Sequence, residues 1–200
     1  LGKLDQEYLD QQQKLTKDLT DNMTGTLENF RNFFKPYSAK HPFYVDSAIQ
    51  KALSMLDSCF KQNGINVTVE FPDNGEISGC ENELGQVILN MLANSRDAFI
   101  ATESKNPSIN IRTKLSDKSI QIFVSDNGGG IDESIIEKIF EPYFTTKDIC
   151  NGVGLGLHVS KMIIEQNMNG KLSIKNVSDG VECSISIPTK YSLKGDRTEN

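Results

Sequence analysis

"VILNMLANSRDAF", residues 87–99, sets two asparagines on a helix otherwise built for burial. Val87, Ile88, Leu89, Met91, Leu92, Ala93, Ala98 and Phe99 surround Asn90 and Asn94. A buried amide without partners costs on the order of 1–3 kcal/mol, so something must satisfy these two. Widening the window to residues 81–102 gives polar positions at Glu83, Gln86, Asn90, Asn94 and Asp97, in steps of three, four, four and three. Those steps draw one stripe along a helix. A solvated face would carry such a stripe too, but Leu89, Ala93 and Ile100 make the flanks apolar as well. The stripe therefore faces a pocket. Amide oxygens are neutral, hard ligands that suit Mg2+ already carrying phosphate oxygens, where a carboxylate would repel a triphosphate.

Around this helix the apolar pattern alternates between two periods. Upstream, "VDSAIQKALSMLDSCFKQNG" (45–64) has helical spacing and a stop at Asn63-Gly64, and "INVTVEF" (65–71) alternates as a strand. Downstream, "SINIRTKL" (108–115) and "SIQIFVSD" (119–126) are two strands joined by a tight turn. "DESIIEKIF" (132–140) reads as a short helix, and "GLGLHVSKMIIEQN" (154–167) as another that stops near Gly170. "KLSIKNV" and "VECSISI" form a hairpin across Ser178-Asp179-Gly180. Three helices on one mixed or antiparallel sheet make a two-layer α/β (α+β) sandwich.

Residues 1–36 carry apolar positions at Leu1, Leu4, Tyr8, Leu15, Leu19, Met23, Leu27, Phe30 and Phe34, the spacing of one long amphipathic helix closed by Pro36. Such a stripe wants a partner helix or a second copy of itself. Residues 37–44 read as a linker, 45–190 as the folded domain, and 191–200 as a frayed tail. The opening in mid-helix gives the chain the look of a piece of something longer.

Composition removes several classes. The 200 residues carry a net charge of −6 and no Lys/Arg run, which argues against a sequence-independent grip on nucleic acid. No apolar stretch is long enough for a membrane span or a secretory signal, so no direct membrane contact is expected. Cys59, Cys80, Cys150 and Cys183 stand far apart without a C-x-x-C pair, which speaks against zinc and for thiols in a reducing cytoplasm.

Two glycine-rich stretches complete the pattern. In "VSDNGGGI" (124–131) a strand ends in Asp126, a carboxylate able to accept a hydrogen bond from an exocyclic amine, and the glycines let a flat base approach the backbone. In "NGVGLGLH" (151–158), Gly152, Gly154 and Gly156 run into an apolar helix whose N-terminus would welcome phosphate. This is not a P-loop, and it does not follow a strand in the dinucleotide-binding order. Between them, "IFEPYFTTK" (139–147) sets Phe140, Tyr143 and Phe144 before Lys147, an aromatic cluster suited to the hinge of a mobile lid.

The order N-x-x-x-N, D-x-G-x-G, F-x-x-x-F, G-x-G-x-G resembles the catalytic, ATP-binding domain of sensor histidine kinases, within the wider gyrase, Hsp90, histidine kinase and MutL group. The resemblance covers about residues 43–188 and implies a Bergerat-type fold with a mixed sheet and ATP between sheet and lid. By that likeness Asn94 would ligate Mg2+ and Asn90 would assist around the phosphates. Asp126 would bind the adenine amine, with Gly128 and Gly130 beside the base. Phe140 and Phe144 match the F box, Lys147 would reach the terminal phosphates, and Gly152, Gly154 and Gly156 would shape the lid. The two amides would then be satisfied by Mg-ATP.

Within the group, the hydrolysing branch has a glutamate base where this sequence has Asn90, and an amide cannot take that proton. The resemblance thus favours a kinase that passes the γ-phosphate to a histidine, for relay to a response-regulator aspartate. "LENFRNFFKP" (27–36) is similar to the second helix of a dimerisation hairpin, which implies a homodimer in the full-length protein. The phosphoacceptor has no counterpart here: His41 precedes Pro42 in the linker, His158 follows the lid, and neither is expected to be phosphorylated. The fragment should bind ATP yet fail to label itself. Val181 stands where the family often has a hydroxyl beside the adenine. The rival readings are a same-fold serine kinase or regulator ATPase, and a degenerate nucleotide-binding interaction module.

Overall fold

The computed structural model describes residues 40–72, 75–147 and 153–189. The helix expected over 1–36, the first part of the linker, Cys150, Gly152 and the tail lie outside the described residues.

Two sheets and three helices make up the described fold. Strand β1 (His41–Tyr44) leads into helix α1 (Val45–Gln62), then strands β2 (Asn66–Glu70) and β3 (Glu76–Gly79) and helix α2 (Glu81–Ala101). Strands β4 (Ser108–Leu115) and β5 (Ser119–Asp126) follow, then helix α3 (Gly156–Met162), β6 (Lys171–Val177) and β7 (Gly180–Pro188). The main sheet has the order β2-β4-β5-β7-β6. It is mixed, because β2 runs parallel to β4 while every other pair is antiparallel.

One face of this sheet is hydrocarbon. Ile109, Ile111, Ile120, Ile122, Ile185 and Ile187 alternate along β4, β5 and β7 and are sealed from solvent, as the period of two requires. They meet Ile49 of α1 and Leu84, Ile88 and Leu92 of α2, also fully buried. The opposite face is polar, with Arg112 over the Phe123 ring at 4.3 Å and Glu182 bonded to Arg112 and Lys175. This is the two-layer sandwich expected from the alternation of periods.

Three local expectations change. His41–Tyr44, read as the end of the linker, is a strand paired with β3, so the folded unit starts earlier than residue 45. Pro42 disguised it; proline is tolerated on so short an edge strand, and only Phe43 of the four is buried. The segment 132–140 is a series of turns with one 3-10 turn at Lys138–Phe140, not an α-helix. Of its residues only Ile139 is buried, and so short a segment gains too little from packing to sustain a helix. The helix starting at Gly156 changes to a π turn at Ile163–Asn167, and its expected stop is where Gly170 N donates to Ile164 O at 2.8 Å.

Candidate nucleotide site

Helix α2 is the spine of the site. Between Asn90 and Ser95 it meets three separate parts of the chain. Asn90 Nδ2 donates to Ser160 Oγ of α3 at 3.0 Å. Asn94 Oδ1 accepts from Lys147 Nζ at 3.4 Å. Ser95 Oγ donates to Asp126 Oδ2, at the end of β5, at 2.6 Å. Both asparagines are half-buried, whereas Ser95 and Ser160 are buried. In this structure the two amides thus have protein partners, where the sequence suggested Mg-ATP. A hydroxyl and an ammonium reached from other elements do that work, and periodicity on one helix cannot reveal them.

The candidate base end of the site is built around Asp126. One carboxylate oxygen takes the Ser95 hydroxyl, and the other takes the Gly128 N–H at 3.0 Å. Gly128 lies so close to α2 that a Cβ there would stand 3.0 Å from Ala98 Cβ and 3.2 Å from Phe99 Cδ1. Gly129 has φ +88 and donates to Asp179 O at 3.1 Å. Gly130 lies against the Asn176 amide. Gly180 lets the β6–β7 turn close onto β5, where a Cβ would strike the Asp126 carbonyl. Asn127 faces away from this cluster, accepting from Ser108 N and donating to Asn106 O.

On the polar stripe of α2, Lys147 forms an ion pair with Asp97 Oδ2 at 2.6 Å. Asp97 also takes two bonds from its neighbour Arg96. Burial alone would weaken the guanidinium's hold on its proton, but the Asp97 carboxylate outweighs it and leaves Arg96 above its ordinary value. Gly154 has φ +70, and a Cβ there would fall 2.5 Å from the Tyr143 carbonyl carbon and 2.6 Å from Phe144 O. Gly156 starts α3 at a point where a Cβ would collide with Asn90 Oδ1. Phe140 packs on the core beneath Lys161, and its carbonyl lies 3.0 Å from His158 Nδ1.

The structure therefore gathers Asn90, Asn94, Lys147 and Gly156 into one group along α2, and Asp126, Gly128 and Gly130 into a second group held by Ser95 and packed on Ala98 and Phe99. Phe144 and Gly154 touch each other beside the first group. Three residues of this arrangement escaped the sequence reading: Ser95, Ser160 and Asn176. Ser95 had a signal, since it interrupts the apolar side of α2 immediately after Asn94; the other two had none. No group of three or more His, Cys, Asp or Glu side chains among the described residues could cage a metal. The amide oxygen of Asn94, already beside one cation, instead fits a metal that brings its own phosphate oxygens.

Residues 79–191 match the family of histidine kinase-, DNA gyrase B- and HSP90-like ATPases, over more than half of the chain. The chain belongs to this family. Within it, the chain is 36% identical to the two-component sensor PprA of Pseudomonas aeruginosa over 155 residues, 74% of this chain and 16% of PprA. The catalytic domain of histidine kinase ThkA superposes with a TM-score of 0.68 at 26% identity, over 76% of this chain and 97% of that domain. ThkA in complex with the response regulator TrrA superposes with a TM-score of 0.74 at 22% identity, covering 94% of this chain and 53% of that one, a likeness of fold. As an ATPase-family domain of the sensor histidine kinase type, the chain spans less than half the length of curated relatives such as PprA. No helix among the described residues is long and apolar enough to cross a membrane.

Proposed function

We propose that this domain binds Mg-ATP along α2 and presents the γ-phosphate to a histidine on the first helix of a dimerisation hairpin, for relay to a response-regulator aspartate. One observation supports this above the others. A single helix offers neutral amides at Asn90 and Asn94 and, through the neighbouring Ser95 on the next face, a bound carboxylate, about the polarity that a triphosphate and an adenine require. PprA and ThkA, a sensor and a histidine kinase by name, point the same way.

Asp126 accepts the exocyclic amine of adenine, and its two fixed donors hold the carboxylate in plane for it. Gly128 and Gly130 keep the loop free of side chains beside the base. Asn94 offers its oxygen to the metal, and Asn90, held by Ser160, stands next to the phosphates. Lys147 leaves Asp97 for the terminal phosphates, and Gly152, Gly154 and Gly156 shape the lid that closes there. Mg2+, when bound, neutralises phosphate charge and orients the transferring group. Positioning and charge stabilisation supply the catalysis, because Asn90 offers no base to activate water.

Neither histidine of the chain suits the role of acceptor. His41 lies in a strand opposite Gly79, and His158 is tied to the Phe140 carbonyl. The response regulator, homodimerisation through the hairpin and a cytoplasmic setting, where ATP is plentiful, belong to the same proposal. The test is to incubate the chain with radiolabelled ATP and a separately made hairpin carrying the acceptor helix. Acid-labile, base-stable label on the hairpin is the expected result. Label that survives acid would move the assignment to serine or threonine, and ATP binding without transfer would leave a nucleotide-binding interaction module.

A further inference from the structure

Asn176 is an uncommon residue for a strand, and it shares a face of β6 with Leu172 and Ile174, the face turned to the core. Among the described residues its amide pairs with backbone. Nδ2 donates to Ile131 O at 2.7 Å, and Oδ1 accepts from Ile131 N at 2.8 Å. One side chain thus supplies both halves of what a neighbouring strand would give a single residue. Gly130 is drawn in with it, so that a Cβ there would stand 3.1 Å from Asn176 Oδ1.

The clamp completes a series. Gly128 N is held by Asp126 Oδ1, Gly129 N by Asp179 O, and Ile131 N by Asn176 Oδ1. A glycine triplet is the costliest kind of loop to order, because it has the most backbone freedom to lose. Here that cost is met by fixed partners within the protein. A ligand arriving at the base end then does not have to order the loop itself.

We propose that Asn176 is a positioning residue for base recognition, holding residues 128–131 in the form that a purine stacks against. This rests on the nucleotide reading given above. The role belongs to the base end alone, so its loss should weaken adenine contacts and leave phosphate contacts in place.

The test compares the parent chain with Asn176→Ala and Asn176→Asp, using ATP, adenosine and inorganic tripolyphosphate to displace a fluorescent ATP analogue. Asn176→Ala should weaken ATP and adenosine about tenfold, the worth of roughly one net hydrogen bond, with tripolyphosphate unchanged. Asn176→Asp keeps the acceptor for Ile131 N but sets a carboxylate against the Ile131 carbonyl, so at about pH 8 its deficit should be at least as large as that of Asn176→Ala. Equal weakening of tripolyphosphate, or parent-like adenosine binding in both variants, overturns the proposal. A parent that takes up no ATP overturns the nucleotide reading and this role with it. Amide exchange at Ile131, which should quicken in Asn176→Ala without any ligand, tells the two failures apart.

Discussion

Gly128→Ala is the substitution for which the structure gives the most definite number. The added methyl group would stand 3.0 Å from Ala98 Cβ and 3.2 and 3.3 Å from two carbons of the Phe99 ring. Neither neighbour can yield easily: Ala98 has no rotamer to change, and Phe99 is buried at 4% exposure in the core. Overpacking of this kind costs about 1–3 kcal/mol. Loss of glycine's freedom in the unfolded chain returns roughly 0.4–1 kcal/mol. The midpoints leave a net destabilisation of about 1.3 kcal/mol, a fall in melting temperature of roughly 3–5 °C for a domain of this size. The loop relieves the clash by lifting from α2, which pulls the Gly128 N–H from Asp126 Oδ1. ATP affinity should fall along with stability. Thermal melting and titration calorimetry measure the two effects. The decisive control is Gly128→Ala with Ala98→Gly, which removes the nearer contact at about 1 kcal/mol of helix propensity. That double variant should bind ATP better than Gly128→Ala while being no more stable. If Gly128→Ala melts and binds like the parent, the loop does not rest on α2 as described and the reasoning is wrong.

Three other outcomes follow from the same geometry. Asn94→Ala should abolish the Mg2+ dependence of ATP binding, and Asp126→Ala should abolish preference for adenine over guanine nucleotides; calorimetry with and without the metal would show the reverse assignment just as clearly. Burial works to raise the Glu182 carboxyl, but bonds from Lys175 and Arg112 prevail and hold it below its ordinary value of 4.5. Its contribution to stability is therefore present above that ordinary value and lost as the pH falls through the lower folded value. Glu182→Gln should flatten the acid limb of a urea-unfolding series, and an unchanged limb would refute the pairing. Burial, with help from Glu182, pushes the Cys183 thiol up to about 12, so it should resist a thiol reagent at pH 8 while half-buried Cys59 reacts. Mass spectrometry of the labelled peptides decides the order.

Much of the fold was legible because its periods are local. The stretch 81–102 differs by one residue from α2, and the strands at 108–115 and 119–126 coincide with β4 and β5. The β6–β7 hairpin announced itself through Ser178-Asp179-Gly180. What stayed hidden was short or long-range. Strands β1 and β3 have four residues each, too few for an alternating pattern to stand out, and they are strands because they pair with each other. The segment 132–140 had helical spacing, yet only one of its positions is buried.

The candidate site divides in the same way. Asn90, Asn94, Asp126 and the glycines could be singled out from the chain because spacing along a helix and runs of glycine are properties of neighbours in sequence. The partners that hold them are distant: Ser160 lies 70 residues from Asn90, Lys147 lies 53 from Asn94, and Asn176 lies 45 from Ile131. The sequence by itself determined which helix bears polar groups on an apolar body and which strands line the core, since hydrophobic period is a one-dimensional signal. Only the tertiary structure decided what each amide touches, why Gly180 and Gly156 admit no side chain, and that β2 joins the sheet in parallel. A hydrogen bond of 3 Å depends on where two remote backbones come to rest, and that depends on the packing of the whole core.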